Sequence, residues 1–303
     1  MELTLVSYNI HSGIGVDGHF DLSRVGAVLR EVNADIIALQ EVGDFRGKTS
    51  REDQPEHLAE MLGLHMAFGP NVVRNGRRYG NAILSRLPVL KSKNYDLSVT
   101  GREPRGALRC DLDLGGGQQL HVFCLHLGLS VSERRRQEAL LLSADLLRDA
   151  ARKDPMVVCG DFNSWGNGPV SSLVREAIHD AAFELGAAAR TYPTRLPLFR
   201  LDRIYVDSGV RPVSVTPHRS PLSRVASDHL PVRRFLALSG RRLRTPDSFA
   251  GMWLSRRRGV PRLAPTRTGR ERRPESACTW AVNRRIAAWP RSSGAWRTAS
   301  VGW

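Results

Sequence analysis

The chain is poor in cysteine, has no long apolar run, and contains no lysine from Gly240 onward. Its four cysteines, Cys110, Cys124, Cys159 and Cys278, show no metal-ligand spacing. Three of them sit inside apolar strand-like runs, which predicts reduced, buried thiols and a reducing compartment. No stretch approaches the ~20 consecutive apolar residues that a membrane-spanning helix needs. The start, Met1-Glu2-Leu3-Thr4, has neither the basic nor the apolar region of a secretory signal, so a soluble cytoplasmic protein is expected.

The charge balance excludes less than it first suggests. Over 303 residues there are 45 Lys and Arg against 30 Asp and Glu, a net of +15 that would normally point to nucleic acid or an anionic surface. Residues 240–303, however, hold 15 Arg and 3 acidic residues, leaving 30 basic against 27 acidic in residues 1–239, a net of +3. The basic character therefore belongs to the tail, and residues 1–239 are read as one nearly neutral domain.

Within that domain, apolar segments repeatedly end on a polar residue. Leu3 to Val6 leads to Asn9, Ile36 to Leu39 to Gln40-Glu41, and Leu120 to Leu125 to His126. Met156 to Cys159 leads to Gly160-Asp161-Phe162-Asn163, and Ser227-Asp228-His229 follows later. A polar residue after one strand is usually just the first solvated loop position, but five such sites with matching chemistry predict a shared cleft.

Strand and helix patterns alternate. Asp21 is a candidate N-cap for a helix that buries Val25, Val28, Leu29 and Val32. From Asn81 to Leu125 extended segments (Ala82 to Leu84, Val89 to Val99, Ala107 to Leu114, Leu120 to Leu125) predict an antiparallel meander. Ser130 and Glu133 form a capping box for a helix whose apolar face would be Ala139, Leu142, Leu146 and Ala150. Strands are expected at Met156 to Cys159, Asp202 to Val206, Val210 to Val215 and Pro231 to Leu236, giving an α/β domain of mixed sheets covered by helices.

The strings Tyr8-Asn9-Ile10, Leu39-Gln40-Glu41, Gly80-Asn81-Ala82-Ile83-Leu84-Ser85, Leu125-His126-Leu127, Gly160-Asp161-Phe162-Asn163, Leu201-Asp202-Arg203-Ile204 and Ser227-Asp228-His229 occur in order. Together they resemble the endonuclease/exonuclease/phosphatase, or DNase I-like, superfamily, and most closely its small bacterial metal-dependent hydrolases. The resemblance implies a four-layer sandwich, two mixed β-sheets face to face and flanked by helices. It implies a divalent-metal-dependent phosphoester hydrolase using Mg²⁺ or Mn²⁺, with Glu41, Asn9 and Asp228 at the metal. His229 would be the general base, oriented by Asp202, with Asp161 and Asn163 handling the water or a phosphate oxygen. His126 would donate to a phosphate oxygen, and Arg105 and Asn81 would be the substrate-phosphate residues. His11, His19, His65 and His121 match nothing in the signature.

Relatives of this branch include proteins linked to phospholipid and glycosyl-phosphatidylinositol-type lipids, so by analogy a lipid-derived or small organic phosphodiester is the first expectation, with DNA or RNA as the alternative and a non-catalytic binding module third. The module is disfavoured because Glu41, Asp161, Asn163, Asp228 and His229 are all present. A monomer is expected. Residues 240–303 carry five of the six tryptophans, the run Arg256 to Arg258, and no hydrophobic period, which predicts a disordered basic tail, a nucleic-acid or anionic-membrane tether, or an out-of-frame extension. Truncation after Ser239 should leave the unfolding midpoint unchanged; collapse of the truncated chain would overturn the disordered and out-of-frame readings.

Overall fold

The structure is a computed structural model, and it describes residues 1–44, 53–143, 147, 154–165, 178–187 and 189–238, all within the compact unit Met1–Arg244. The expected basic tail, and Leu146 and Ala150 of the expected helical face, lie outside the described residues.

Two six-stranded sheets pack face to face. The first contains β1 (Glu2–Asn9), β2 (Ile36–Asp44), β3 (His65–Arg74), β4 (Arg77–Ser85), β11 (Val210–Pro217) and β12 (Val232–Leu238), in the order β11-β12-β1-β2-β4-β3. The second contains β5 (Val89–Asp96), β6 (Gly106–Gly115), β7 (Gln118–His126), β8 (Met156–Asp161), β9 (His179–Asp180) and β10 (Asp202–Val206), in the order β5-β6-β7-β8-β10-β9. Each sheet is antiparallel except for one central parallel pair, β1 with β2 and β7 with β8. These four strands are apolar on both faces, as strands covered on both sides must be.

Strand alternation divides the side chains among three cores. Leu3, Leu5, Ile36, Ala38, Cys124, Cys159 and Ile204 fill the space between the sheets. Val6, Tyr8, Ile37 and Leu39 face outward under α1 (Leu22–Val32) and α2 (Gln54–Leu62). Phe123, Leu125, Val158 and Tyr205 cover the other outer face with Leu141 of α3 (Val131–Leu141). The layer order is therefore helix, sheet, sheet, helix. Asp21 caps α1 by accepting the Arg24 N–H at 2.9 Å, and Val25, Val28, Leu29 and Val32 are buried, as the spacing predicts.

Three expectations need correction. The segment Ala82 to Leu84 does not join the meander; it belongs to β4 of the first sheet, because Asn75 and Gly76, both at positive φ, close a tight β3–β4 hairpin in which Arg74 pairs with Arg77. The following strand stops at Asp96 rather than Val99. In α3, Ser130 does accept the Glu133 N–H at 3.2 Å, and of the expected face Leu142, at the helix C-cap, is buried, but Ala139 is exposed and the helix itself buries Glu133, Gln137 and Leu141. The Gln137 side chain accepts the Gly128 N–H at 2.8 Å, a polar anchor in place of the expected Ala139 contact.

The closest backbone approach near the strand ends is at Gly160. It lies beside Leu125 in the β7–β8 pair with φ +145°, and a Cβ added there would sit 1.9 Å from the Leu125 carbonyl oxygen. Only glycine tolerates that contact, and it lets the next pair, His126 and Asp161, stand side by side. Gly160→Ala should lower unfolding free energy by about 2–4 kcal/mol, checked by urea denaturation. Wild-type stability in this variant would refute the packing argument.

Candidate active site

Strand register assembles the site. His126, Asp161 and Asp202 are paired neighbours across β7, β8 and β10, so their side chains leave the same face of the second sheet at one rim. Asn9 ends β1 on the facing sheet and pairs with Gln40. Regular alternation would point Glu41 outward, away from Gln40, but the β2–β4 register slips between Leu39 and Val42 and Glu41 takes φ 58°. The bulge turns Glu41 to the inner side, where its Oε1 accepts the Asn9 Nδ2–H at 3.0 Å. His229 arrives on the turn before β12. Ser227 fixes that turn by donating to the Asn9 carbonyl at 2.8 Å and accepting the His229 N–H at 3.2 Å.

A chain of contacts runs across the rim. Thr191 donates its hydroxyl to Asp202 Oδ2, which also bonds His229 Nδ1 at 2.8 Å. The other ring nitrogen of His229, Nε2, stands 3.7 Å from Asp161 Oδ2, and His126 Nε2 lies at the same 3.7 Å. Asp161 Oδ2 also accepts from Asn9 Nδ2 at 3.1 Å, and Asp161 Oδ1 accepts the Asn163 N–H at 2.8 Å. Asn163, itself at φ 49°, donates Nδ2 to the Leu127 carbonyl at 2.9 Å and meets His126 Nε2 at 3.0 Å. An amide NH₂ only donates, so His126 Nε2 is the acceptor and the proton of the neutral ring sits on Nδ1.

The model of the Endonuclease/Exonuclease/phosphatase family matches residues 6–229, which span this whole constellation. The chain belongs to that family. It is 35% identical over 246 residues to the protein YbhP of Escherichia coli strain K12, covering 75% of this chain and 93% of YbhP. Among solved structures it is similar to an endonuclease/exonuclease/phosphatase from Beutenbergia cavernae DSM 12333, with TM-score 0.64, 25% identity, and coverage of 79% of this chain and 72% of that one. It also shares the fold of the mannosyl-6-phosphatase Bt3783 of Bacteroides thetaiotaomicron VPI-5482, with TM-score 0.62, 18% identity, and coverage of 78% and 100%. Members of the endonuclease/exonuclease/phosphatase family are phosphoester hydrolases and generally use divalent metals. No helix among the described residues is long and apolar enough to cross a membrane.

The electrostatics follow from burial and from opposed charges. Burial alone would lower the His229 pKa, but the Asp202 carboxylate, its hydrogen bond, and then Asp161 and Asp228 override it and push the imidazole up to about 10. Burial pushes Asp161 up to about 6 despite the opposing pull of His229. His126 is driven well below its ordinary value, first by burial and then by Arg105 and His229. The two histidines on either side of the Asp161 carboxylate are thus shifted in opposite directions, His229 up and His126 down.

The donors suit a hard cation. Carboxylates at Glu41, Asp161 and Asp228 and the amide at Asn9 are oxygen ligands of the kind Mg²⁺ and Mn²⁺ take. Among the described residues, the metal-ligating atoms that converge within 4.8 Å are those of Asp161, Asp202 and His229. Asp202 and His229 are committed to each other, whereas Asp202 Oδ1 is buried with no hydrogen-bond partner. The Asn9 oxygen accepts the His11 N–H at 3.0 Å, so Asn9 turns its NH₂ toward both carboxylates and links Glu41 to Asp161.

Of the residues expected from sequence, Asn9, Glu41, His126, Asp161, Asn163, Asp202 and His229 are joined in this network. Asp228 stands at its edge, half-buried and 4.0 Å from His11 Nδ1. Arg105 is buried, pairs with Glu103 at 2.9 Å, and acts on His126 through its charge. Asn81, expected at the substrate phosphate, is not among the residues hydrogen-bonded into this network, and its Oδ1 is buried without a hydrogen-bond partner. It is fully buried and gives its NH₂ to the Gly106 and Cys124 carbonyls, pinning β4 to the second sheet. Thr191, Tyr192 and Ser227 join the site without an expected role; Ser227 lies within the Ser227-Asp228-His229 signature, but nothing in the spacing marks Thr191.

Asp202→Asn removes the largest contribution raising the His229 pKa. In a histidine NMR titration of the metal-free protein, His229 should then titrate well below its wild-type position. Because its folded pKa is raised, the pair's stabilisation is complete below about 6.5 and is lost as pH rises through about 10. The stability gap between wild type and Asp202→Asn should narrow over that window; a gap that widens would reverse the assignment.

Proposed function

We propose that this chain is a divalent-metal-dependent phosphodiesterase that cleaves a lipid-derived or small organic phosphodiester by attack of water on phosphorus. The observation that carries this reading is the His229 ring, held at Nδ1 by Asp202 while Nε2 faces Asp161 at the meeting point of Asn9, His126 and Asn163. An imidazole fixed on one side and open on the other is the arrangement a general base requires.

His229 takes the proton of the attacking water at Nε2 and Asp202 stabilises the resulting imidazolium at Nδ1, while the ester P–O bond breaks as the new P–O bond forms and the departing oxygen is protonated from solvent. Asp161 orients the water, its Oδ1 fixed by the Asn163 N–H. The Arg105 guanidinium would donate to the phosphoryl oxygens, and the anion draws a proton onto His126 Nε2, which then donates as well; with its acceptor there lost, one Asn163 Nδ2 hydrogen is released to do the same. A cation held by Glu41 and Asp228, and by Asn9 once its amide flips to bring the oxygen rather than the NH₂ toward Glu41, would polarise the phosphoryl oxygen and, by offsetting carboxylate charge, bring the His229 pKa down toward neutrality.

A small substrate is favoured by the net +3 of residues 1–239, which supplies no extended cationic track for a nucleic-acid backbone. Hydrolysis of bis-p-nitrophenyl phosphate with Mg²⁺ or Mn²⁺ should fall by about 10³-fold in His229→Ala and in Asp161→Ala, with both variants folded by circular dichroism. Activity surviving both changes would refute the reading. Steeply salt-dependent cleavage of single-stranded DNA, faster than that of any small diester, would replace it with a nuclease.

A further inference from the structure

Next to His229 the cleft changes character. The Tyr192 ring leans on the His229 ring, with centroids 4.9 Å apart and planes tilted by 49°. Trp165, two residues beyond Asn163, meets Tyr192 edge to face at 5.7 Å and 84°, and meets Phe199 at 5.0 Å and 65°. Three aromatic side chains from two loops thus form a continuous corner that begins at the proposed base.

This corner is rigid. Backbone bonds tie Thr191 and Tyr192 N–H to the Phe199 carbonyl at 2.9 and 3.1 Å, and the Phe199 and Leu198 N–H to the Tyr192 carbonyl at 2.8 and 2.9 Å. The loop between Tyr192 and Phe199 is closed at its neck by these four bonds. The Asp228 carbonyl accepts the Thr194 N–H at 2.8 Å, locking the loop onto the turn that carries His229. Yet Trp165 remains 48% exposed, and Leu196 and Leu198 of the same loop are 64% and 52% exposed. A large indole fixed in place by two other rings, but left half in water beside a reaction centre, is not spent on core packing.

Resting on the phosphodiesterase reading above, we infer that Trp165, Tyr192 and Phe199 form the subsite for the organic group esterified to the phosphate, and that this group carries a planar aromatic or heteroaromatic ring. The half-exposed indole meets Tyr192 at 84° and Phe199 at 65°, so a ring stacked on the indole would have an aromatic wall beside it. A flat ring can stack on the first and meet the second edge to face, whereas a flexible alkyl chain gains no directional contact from it. Continuity through Tyr192 to His229 places such a ring within one ester linkage of the phosphorus that His229 serves.

The test compares full-length wild type, Trp165→Ala and Trp165→Phe on three diesters with Mn²⁺: bis-p-nitrophenyl phosphate, thymidine 5′-(p-nitrophenyl phosphate) and glycerophosphocholine. Trp165→Ala should raise KM about tenfold for a ring-bearing diester with kcat little changed, Trp165→Phe should recover most of the loss, and glycerophosphocholine should be unaffected. Comparing the first two separates an aryl from a nucleoside source of the ring.

Equal losses on all three substrates would assign Trp165 to loop structure, and unchanged kinetics throughout would remove the subsite; either overturns the inference while leaving the phosphodiesterase reading intact. Calorimetric titration of phenyl phosphate against ethyl phosphate into His229→Ala, with and without Trp165→Ala, reads ring preference without turnover. A preference for phenyl phosphate that disappears with Trp165 supports the subsite even if the wild type hydrolyses none of the diesters, a result that would sink the reaction assignment alone. Absence of any such preference overturns the subsite.

Discussion

One buried carboxylate holds the rim of the sandwich together. Asp161 receives Asn9 from the facing sheet, the Asn163 backbone from its own loop, and the approach of two histidines, all while nearly wholly out of water. Desolvating a carboxylate is costly, and the cost is offset only because donors and positive charge converge from several elements at once. That convergence requires both sheets to be in register: β7, β8 and β10 must present His126, Asp161 and Asp202 abreast, and β1 must end opposite them. Packing between the sheets is therefore also what tunes the histidines, since the same burial raises Asp161 and depresses His126.

Backbone strain gathers where the chemistry is expected. Glu41, Asn163, His11 and Ser12 all take left-handed backbone angles without being glycine, and all lie at or beside the rim. Each such residue costs of order 1–3 kcal/mol and persists only where its surroundings over-determine it. Here the surroundings are visible: Ser12 bonds the Glu41 carbonyl, His11 N–H bonds Asn9 Oδ1, and Asn163 is held on both its N–H and its side chain. The fold tolerates strain at the cleft that it does not carry in the inter-sheet core.

Much of this was legible in the sequence because strand cores and their polar ends obey local rules. The runs at Leu3, Ile36, Leu120 and Met156 became the two parallel pairs at the centres of the sheets, and α1 began at Asp21 with the expected buried face. What local rules could not show was which sheet a strand joins. The Asn75-Gly76 turn was a readable hairpin signal that assigns β4 to β3, but the pairing of β4 with β2 depends on residues some forty-five positions apart. The inward turn of Glu41 depends on a bulge with no sequence signature. Asn81 was expected at the substrate phosphate from the family resemblance alone, and what its side chain holds, the Gly106 and Cys124 carbonyls of the other sheet, follows from three-dimensional register. Thr191 is tied to Asp202 by a loop crossing that spacing alone cannot reveal.

The separations along the chain carry a consequence for synthesis. Asn9 touches Asp161 from 152 residues away and the Ser227 hydroxyl from 218, and His229 arrives with nearly the last strand of the domain. Such long-range closures form late, after the more local hairpins have paired. A growing chain holds Asn9, Glu41 and His126 long before it holds a working pair of Asp202 and His229. On the phosphodiesterase reading proposed above, a chain that ends before His229 lacks the proposed base and stays inactive however much of the two sheets it has already built.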